Sequence, residues 1–195
     1  NAIVPPDEKT FRWLRERTDR SFSLVYADPG AKYEKHIKTD VSELSPQVAC
    51  PHSVDNVKPV EKVAGVKINQ ALLGSCTNGR IEDLEVGARI LQGKKIPENV
   101  RMLVIPASRE IYLEAIQRGL IETMVQAGAI ILNPGCGPCL GAHQGLLAEG
   151  EVCISSTNRN FQGRMGSRKA KIYLASPATV TASALRGEIT DPREI

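Results

Sequence analysis

Aromatic residues are scarce: phenylalanine, tyrosine and tryptophan make up 4% of the 195 residues, with a single tryptophan. A core must therefore be built mostly from aliphatic side chains. Long apolar runs are also missing, the longest being strand-sized, so no segment reads as a transmembrane helix. Nor does one sign of charge dominate, since 25 Lys and Arg stand against 22 Asp and Glu, a formal net charge of +3. Nucleic acids and membrane surfaces recruit basic clusters, and neither is an expected partner here. No basic-then-apolar signal segment, internal repeat or low-complexity tract stands out. What remains, 42% hydrophobic and 24% charged residues, is the composition of an ordinary globular chain. Its length allows one domain with a substantial core, or two small ones. The opening Asn1-Ala-Ile-Val-Pro-Pro-Asp-Glu-Lys lacks methionine and reads as a piece of something longer.

Two regimes follow along the chain. Residues 1–65 are irregular: Asp7 reads as the cap of a short helix carrying Phe11 and Leu14, and Asp28-Pro29-Gly30 as a turn. Tyr33 to Asp40 reads as a strand or part of a long arm. From Val66 buried strands alternate with amphipathic helices. Strands are expected at Ala71–Leu73, Met102–Ile105, Ala129–Leu132, Val152–Ile154 and Ile172–Ala175. A helical stripe runs through Ile81, Leu84, Ala88 and Leu91. Ser108 caps the next helix, Leu120 to Ala127 forms another, and Ser176-Pro177 opens a last one that Gly187 stops. Alternation of this kind predicts a three-layer α/β/α sandwich with a mainly parallel sheet over residues 66–195. Ligands of such sheets bind beyond the carboxyl ends of the strands.

Two glycine-rich turns sit at such ends, Gly74-Ser75-Cys76-Thr77-Asn78 and Gly135-Cys136-Gly137-Pro138-Cys139. Five cysteines, three of them in these turns, argue for a reducing compartment, the cytoplasm, and for metal or redox chemistry rather than disulfide staples. Three thiolates can hold a cubane cluster by three corners, and the glycines let backbone amides approach its sulfurs. Cys136-Gly-Pro-Cys139 alone also matches a thioredoxin redox motif, with Pro177 as a candidate partner proline, but Gly135 replaces the usual tryptophan and Cys76 is left without a role. Tetrahedral zinc would need a fourth ligand from Cys50, Cys153 or His143, and only one closely spaced cysteine pair is present. Cys50 and Cys153 read as structural. His36, His52 and His143 are isolated, and Ser75 and Thr77 are expected to bond locally.

The segment Asn158-Arg159-Asn160-Phe161-Gln162-Gly163-Arg164 follows, and guanidinium forks match carboxylates two bonds at a time. With Leu72-Leu73-Gly74-Ser75-Cys76-Thr77-Asn78-Gly79-Arg80, Asn133-Pro134-Gly135-Cys136-Gly137-Pro138-Cys139 and Pro5-Pro6-Asp7-Glu8-Lys9-Thr10, it resembles the aconitase and isopropylmalate dehydratase superfamily. The cysteine spacing of sixty residues and then three is similar too. The resemblance implies a [4Fe–4S] cluster on Cys76, Cys136 and Cys139 with one open iron. It also implies Asn158 against that cluster, and Arg159 and Arg164 on substrate carboxylates. The whole catalytic unit of the family has four domains, and this chain resembles the third. A swivelling domain or separate small subunit would supply the serine base, so the piece would hold the cluster without turning over alone. The implied reaction is hydro-lyase interconversion of 2- and 3-isopropylmalate in leucine biosynthesis, with a homoaconitase or aconitase reaction on a tricarboxylate as the alternative. Two other classes are a thiol–disulfide oxidoreductase using Cys136 and Cys139, and the RNA binding seen in cluster-free relatives, for which the basic patch is missing.

Overall fold

The computed structural model describes residues 4–195. They divide between two compact units, one ending at Glu43 and the other spanning Leu44–Ile195. In the first, helix α1 (Glu8–Arg15) starts where expected, because Asp7 accepts from the Thr10 amide at 2.8 Å and satisfies an orphan N–H of the first turn. The Arg17 guanidinium lies 4.4 Å from the centre of the Trp13 ring. Of the two readings of Tyr33 to Asp40, a strand or part of a long arm, the strand does not form, and none of these residues joins a ladder.

The second unit is organised by a seven-stranded sheet of β1 (Gln47–Ala49), β2 (Val57–Pro59), β3 (Gln70–Gly74), β4 (Arg101–Ile105), β5 (Ile130–Ile131), β6 (Val152–Ser155) and β7 (Lys171–Leu174). Their order is β2-β1-β7-β6-β3-β4-β5. The five strands from β7 to β5 are parallel, and the β1–β2 hairpin joins β7 antiparallel. Residues 44–65, read from the sequence as irregular, thus carry an edge hairpin that packs with the sheet. Three-residue strands bounded by Pro46, Pro51 and Pro59 show no periodicity to read, and proline is tolerated at a sheet edge.

The architecture is an α/β sandwich. A parallel sheet covered on both faces reads as continuous apolar runs, and every residue of β3 is buried. The side chains then sort by the two-residue period. Ala71, Leu73, Met102, Val104 and Ile154 point into one core, under α3 (Ile81–Leu91), α4 (Arg109–Gln117), α5 (Leu120–Gln126) and α6 (Pro177–Arg186). Leu72, Leu103, Ile105, Cys153 and Ile172 point into the other, closed by Leu132, Leu147, Met165 and Ala170. That second layer is a four-residue 3₁₀ turn, Gly137–Leu140, with irregular chain on either side of it. Ser108 and Ser176 cap α4 and α6 as expected, each accepting at 3.2 Å from the amide three residues on. Gly187 ends α6 at φ +71°.

The order of the parallel strands decides where a ligand belongs. From β3 the chain moves outward through β4 to β5, then returns to place β6 on the opposite side of β3. Strand order thus reverses at β3, and sheets of this type bind ligands in the crevice at the carboxyl ends of the strands beside such a point.

Candidate metal centre

β3 runs directly into the Cys76 turn. At Gly74, with φ +106°, a Cβ would stand 2.1 Å from the Ile105 carbonyl oxygen, and at Gly79 2.4 Å from the same atom. Only glycine permits this contact, which lets the turn fold down against the end of β4. Between them lies the single helical turn Ser75–Asn78. Ser75 is itself at φ +78° and buried, and its hydroxyl oxygen has no hydrogen-bond partner. Backbone strain beside an unsatisfied buried group is the mark of a positioned site rather than of a stable turn. The Cys76 thiol is exposed, 3.7 Å from the Thr77 hydroxyl.

The turn is tied to the loop after β6. Gly74 N–H donates to Ser156 Oγ at 2.8 Å, and Asn78 Nδ2 to the Ser156 carbonyl at 2.5 Å. Asn158 Nδ2 donates to Thr77 Oγ1 at 2.8 Å. Thr77, expected to bond only locally, is thus the acceptor that brings Asn158 to the cysteine next to it. The expectation fails because the partner lies 81 residues away and leaves no local trace.

The second turn follows β5. Cys139 N–H donates to the Cys136 carbonyl at 2.9 Å, leaving the Cys136 thiol exposed and that of Cys139 buried. Gly137 lies at φ +40°, and a Cβ there would meet the His143 ring at 2.9 Å. His143, read as isolated, therefore packs on the cysteine turn.

The arginines divide. Arg159 is exposed and donates only to the carbonyl of its neighbour Asn158, at 3.1 Å. Arg164 is half-buried; its Nε donates to the Cys139 carbonyl at 2.7 Å and its guanidinium lies 5.3 Å from the centre of the Phe161 ring. Among the described residues neither is paired with a carboxylate, so the usual fate of a surface arginine does not apply. Between them Asn160 is fully buried and donates to the Cys50 carbonyl at 2.8 Å and that of Ser53 at 3.2 Å, pinning the loop to the edge hairpin. Nothing local to Asn160 signals that role.

The other two cysteines are unsuited to ligation. Burial pushes the Cys153 thiol up to about 12, and burial also raises that of Cys50. Both environments oppose the thiolate a metal requires. Among the described residues no three His, Cys, Asp or Glu side chains, Cys76, Cys136 and Cys139 included, come close enough together to hold one ion. The corners of a cubane stand farther apart than the ligands of one ion, and here Cys76 stands in the glycine-lined turn after β3 while Cys136 and Cys139 share the one after β5, both at the carboxyl ends of parallel strands. The donor set, the open glycine backbone and the orphaned Ser75 hydroxyl fit such a cluster. A disulfide exchanger instead sets its first cysteine at the start of an α-helix, whereas Cys136 leads into the four-residue 3₁₀ turn and Pro177 opens α6.

The Aconitase family (aconitate hydratase) profile matches residues 57–187. This chain belongs to the aconitase family. A probable methanogen homoaconitase large subunit of Methanosarcina mazei is 58% identical over 100% of this chain and 49% of its own length. A 3-isopropylmalate dehydratase large subunit of Archaeoglobus fulgidus is 56% identical over 99% and 47% respectively. Another, from Methanopyrus kandleri, is 54% identical over 98% and 46%. The chain spans about half the length of these aconitase-family relatives. Among its described residues no helix is long and apolar enough to cross a membrane.

Proposed function

We propose that this chain is the cluster-bearing part of the large subunit of an iron–sulfur hydro-lyase that interconverts 2- and 3-isopropylmalate in leucine biosynthesis. Cys76, Cys136 and Cys139 would hold a [4Fe–4S] cluster by three irons. When bound, the cluster supplies Lewis acidity to a substrate hydroxyl and carboxylate at the iron that has no thiolate. The observation that carries the reading is the Arg164 guanidinium, free of a carboxylate partner among the described residues and hydrogen-bonded to the backbone of Cys139 itself.

The chain's own groups then have separate tasks. With Nε committed to Cys139, Arg164 presents its two terminal nitrogens as a fork for a substrate carboxylate. Arg159, exposed and unpaired, supplies a second cation for the charge that develops when a proton leaves carbon next to a carboxylate. Asn158, fixed by Thr77, directs its amide at the Cys76 turn. The base that takes the proton is assigned to a small subunit, in keeping with relatives named as large subunits. Five free thiols suit the cytoplasm. Thus we expect this piece to bind the cluster without turnover on its own.

A homoaconitase reaction is the second reading, favoured by the name of the Methanosarcina mazei relative. Anaerobic reconstitution with iron and sulfide, followed by visible absorption and iron counting, tests the cofactor. About four irons per chain, one of them lost on mild oxidation, is the expected result; a single zinc or no iron would refute it. Turnover of 3-isopropylmalate against a homologous tricarboxylate, with the small subunit added, decides the substrate.

A further inference from the structure

The cysteine segment 136–147 and the arginine segment 158–167 run side by side, and Arg164 is where they lock. Arg164 Nε donates to the Cys139 carbonyl at 2.7 Å. Gly141, at φ +77°, comes so close to the Arg164 carbonyl that a Cβ would lie 2.9 Å from that oxygen. Farther along, Leu147 N–H donates to Met165 and Ser167 N–H to Leu147, at 2.8 and 2.9 Å. The Arg164 guanidinium itself rests against the half-exposed Phe161 ring and, among the described residues, has no acidic partner.

Resting on the cluster reading above, we infer that Arg164 is a clamp on the cysteine turn as well as a carboxylate fork, so that cluster retention and substrate binding are coupled through one side chain. The Nε–H bond holds the Cys139 carbonyl, and with it the backbone of a ligand residue. A substrate carboxylate on the terminal nitrogens fixes the same guanidinium and tightens that hold. By reciprocity, a seated cluster orders the turn and so pre-positions the fork. Arg159, bonded only to its own neighbour, has no such grip.

Chemistry separates the two roles. In Arg164→Gln the amide nitrogen stands as many bonds from the backbone as Nε did, keeping a donor for the Cys139 carbonyl while the charge is lost. In Arg164→Lys a methylene occupies that place, keeping the charge but not the clamp. The full-length large subunit, loaded anaerobically, would be challenged with a ferrous chelator and its visible absorption followed with and without 2-isopropylmalate. We expect Arg164→Lys to lose its cluster about tenfold faster than the parent, the scale of one charge-assisted hydrogen bond. Arg159→Gln should retain it at the parent rate, and Arg164→Gln, whose neutral amide keeps a bond about half as strong, should lose it only about threefold faster. Added 2-isopropylmalate should slow loss in the parent and not in Arg164→Gln. Unchanged thermal unfolding of the cluster-free variants shows that the fold is intact. If Lys retains the cluster as well as the parent, or if Lys and Gln lose it equally, the clamp is overturned while the cluster reading stands. A parent protein that takes up no iron overturns both.

Discussion

Leu72 and Leu73 are neighbours in β3 and both are fully buried, yet they enter layers of different construction. Leu73 enters the core under the α-helices, whose backbone groups pair mostly within each helix. Leu72 enters the core closed by Leu132, Leu147, Met165 and Ala170, from irregular chain held by glycines at positive φ and by side chains bonding to distant backbone. The helical layer can absorb a lost contact locally. Its counterpart is also the wall of the crevice, where a shift of one segment moves a cysteine or an arginine. Stability and site geometry are thus carried by opposite faces of one sheet.

The largest expected effect comes from emptying the helical face. Leu84, in α3 and wholly buried, should cost about 2–5 kcal/mol when replaced by alanine. Chemical denaturation measures this, and cluster uptake at low denaturant should be unaffected; a parallel loss of uptake would erase the distinction between the faces. Gly166→Ala acts on the other side, at φ +133°, where the new Cβ would stand 2.5 Å from the Leu147 carbonyl oxygen. The strain is about 1–3 kcal/mol. Cluster retention should fall here, out of proportion to the stability lost.

A third effect depends on pH. Burial raises the Cys153 thiol from 9.0 to about 12, so the folded protein keeps the proton that the unfolded chain releases. Its contribution is complete below about pH 9 and declines as pH rises towards 12, with about 1 kcal/mol of stability lost by pH 10. The difference between parent and Cys153→Ala in pH-dependent unfolding isolates that slope; identical slopes would show the thiol titrates normally. The smallest change is Thr77→Val, which removes the acceptor for Asn158 on an exposed turn. Stability should fall by less than about 1 kcal/mol. A rise in KM with the small subunit present would mark the loss of Asn158's placement, and an unchanged KM would reduce Thr77 to a surface residue.

Much of the frame was legible in sequence because it is written in short-range terms. The caps Asp7, Ser108 and Ser176, the stop at Gly187 and the runs around Leu72, Leu103 and Ile154 each declare an element within a few residues. The cysteine turns were legible for the same reason, each following a strand directly. The hairpin at β1 and β2 was not, since three residues cannot show a period and proline disguises them. Nor could the bonds Thr77–Asn158, Arg164–Cys139 and Asn160–Cys50 be read, because each joins a side chain to a group far along the chain. Such pairings exist only once the strand order is known. The expected strand at Tyr33–Asp40 had apolar residues but no neighbour to ladder with.

The return of the chain from β5 to the far side of β3 also has a temporal meaning. On a ribosome, β3, β4 and β5 emerge before β6, and with them Cys76, Cys136 and Cys139. The strand that seats Asn158 beside Cys76 is made later, and Arg164 later still. Until then one edge of β3 is an open row of amides and carbonyls, a template for unwanted pairing, and the thiols have no wall around them. The interval between Cys139 and Arg164 is therefore one in which these thiols and that strand edge stand open to oxidation and mispairing, and the making of β6 and the loop after it closes it.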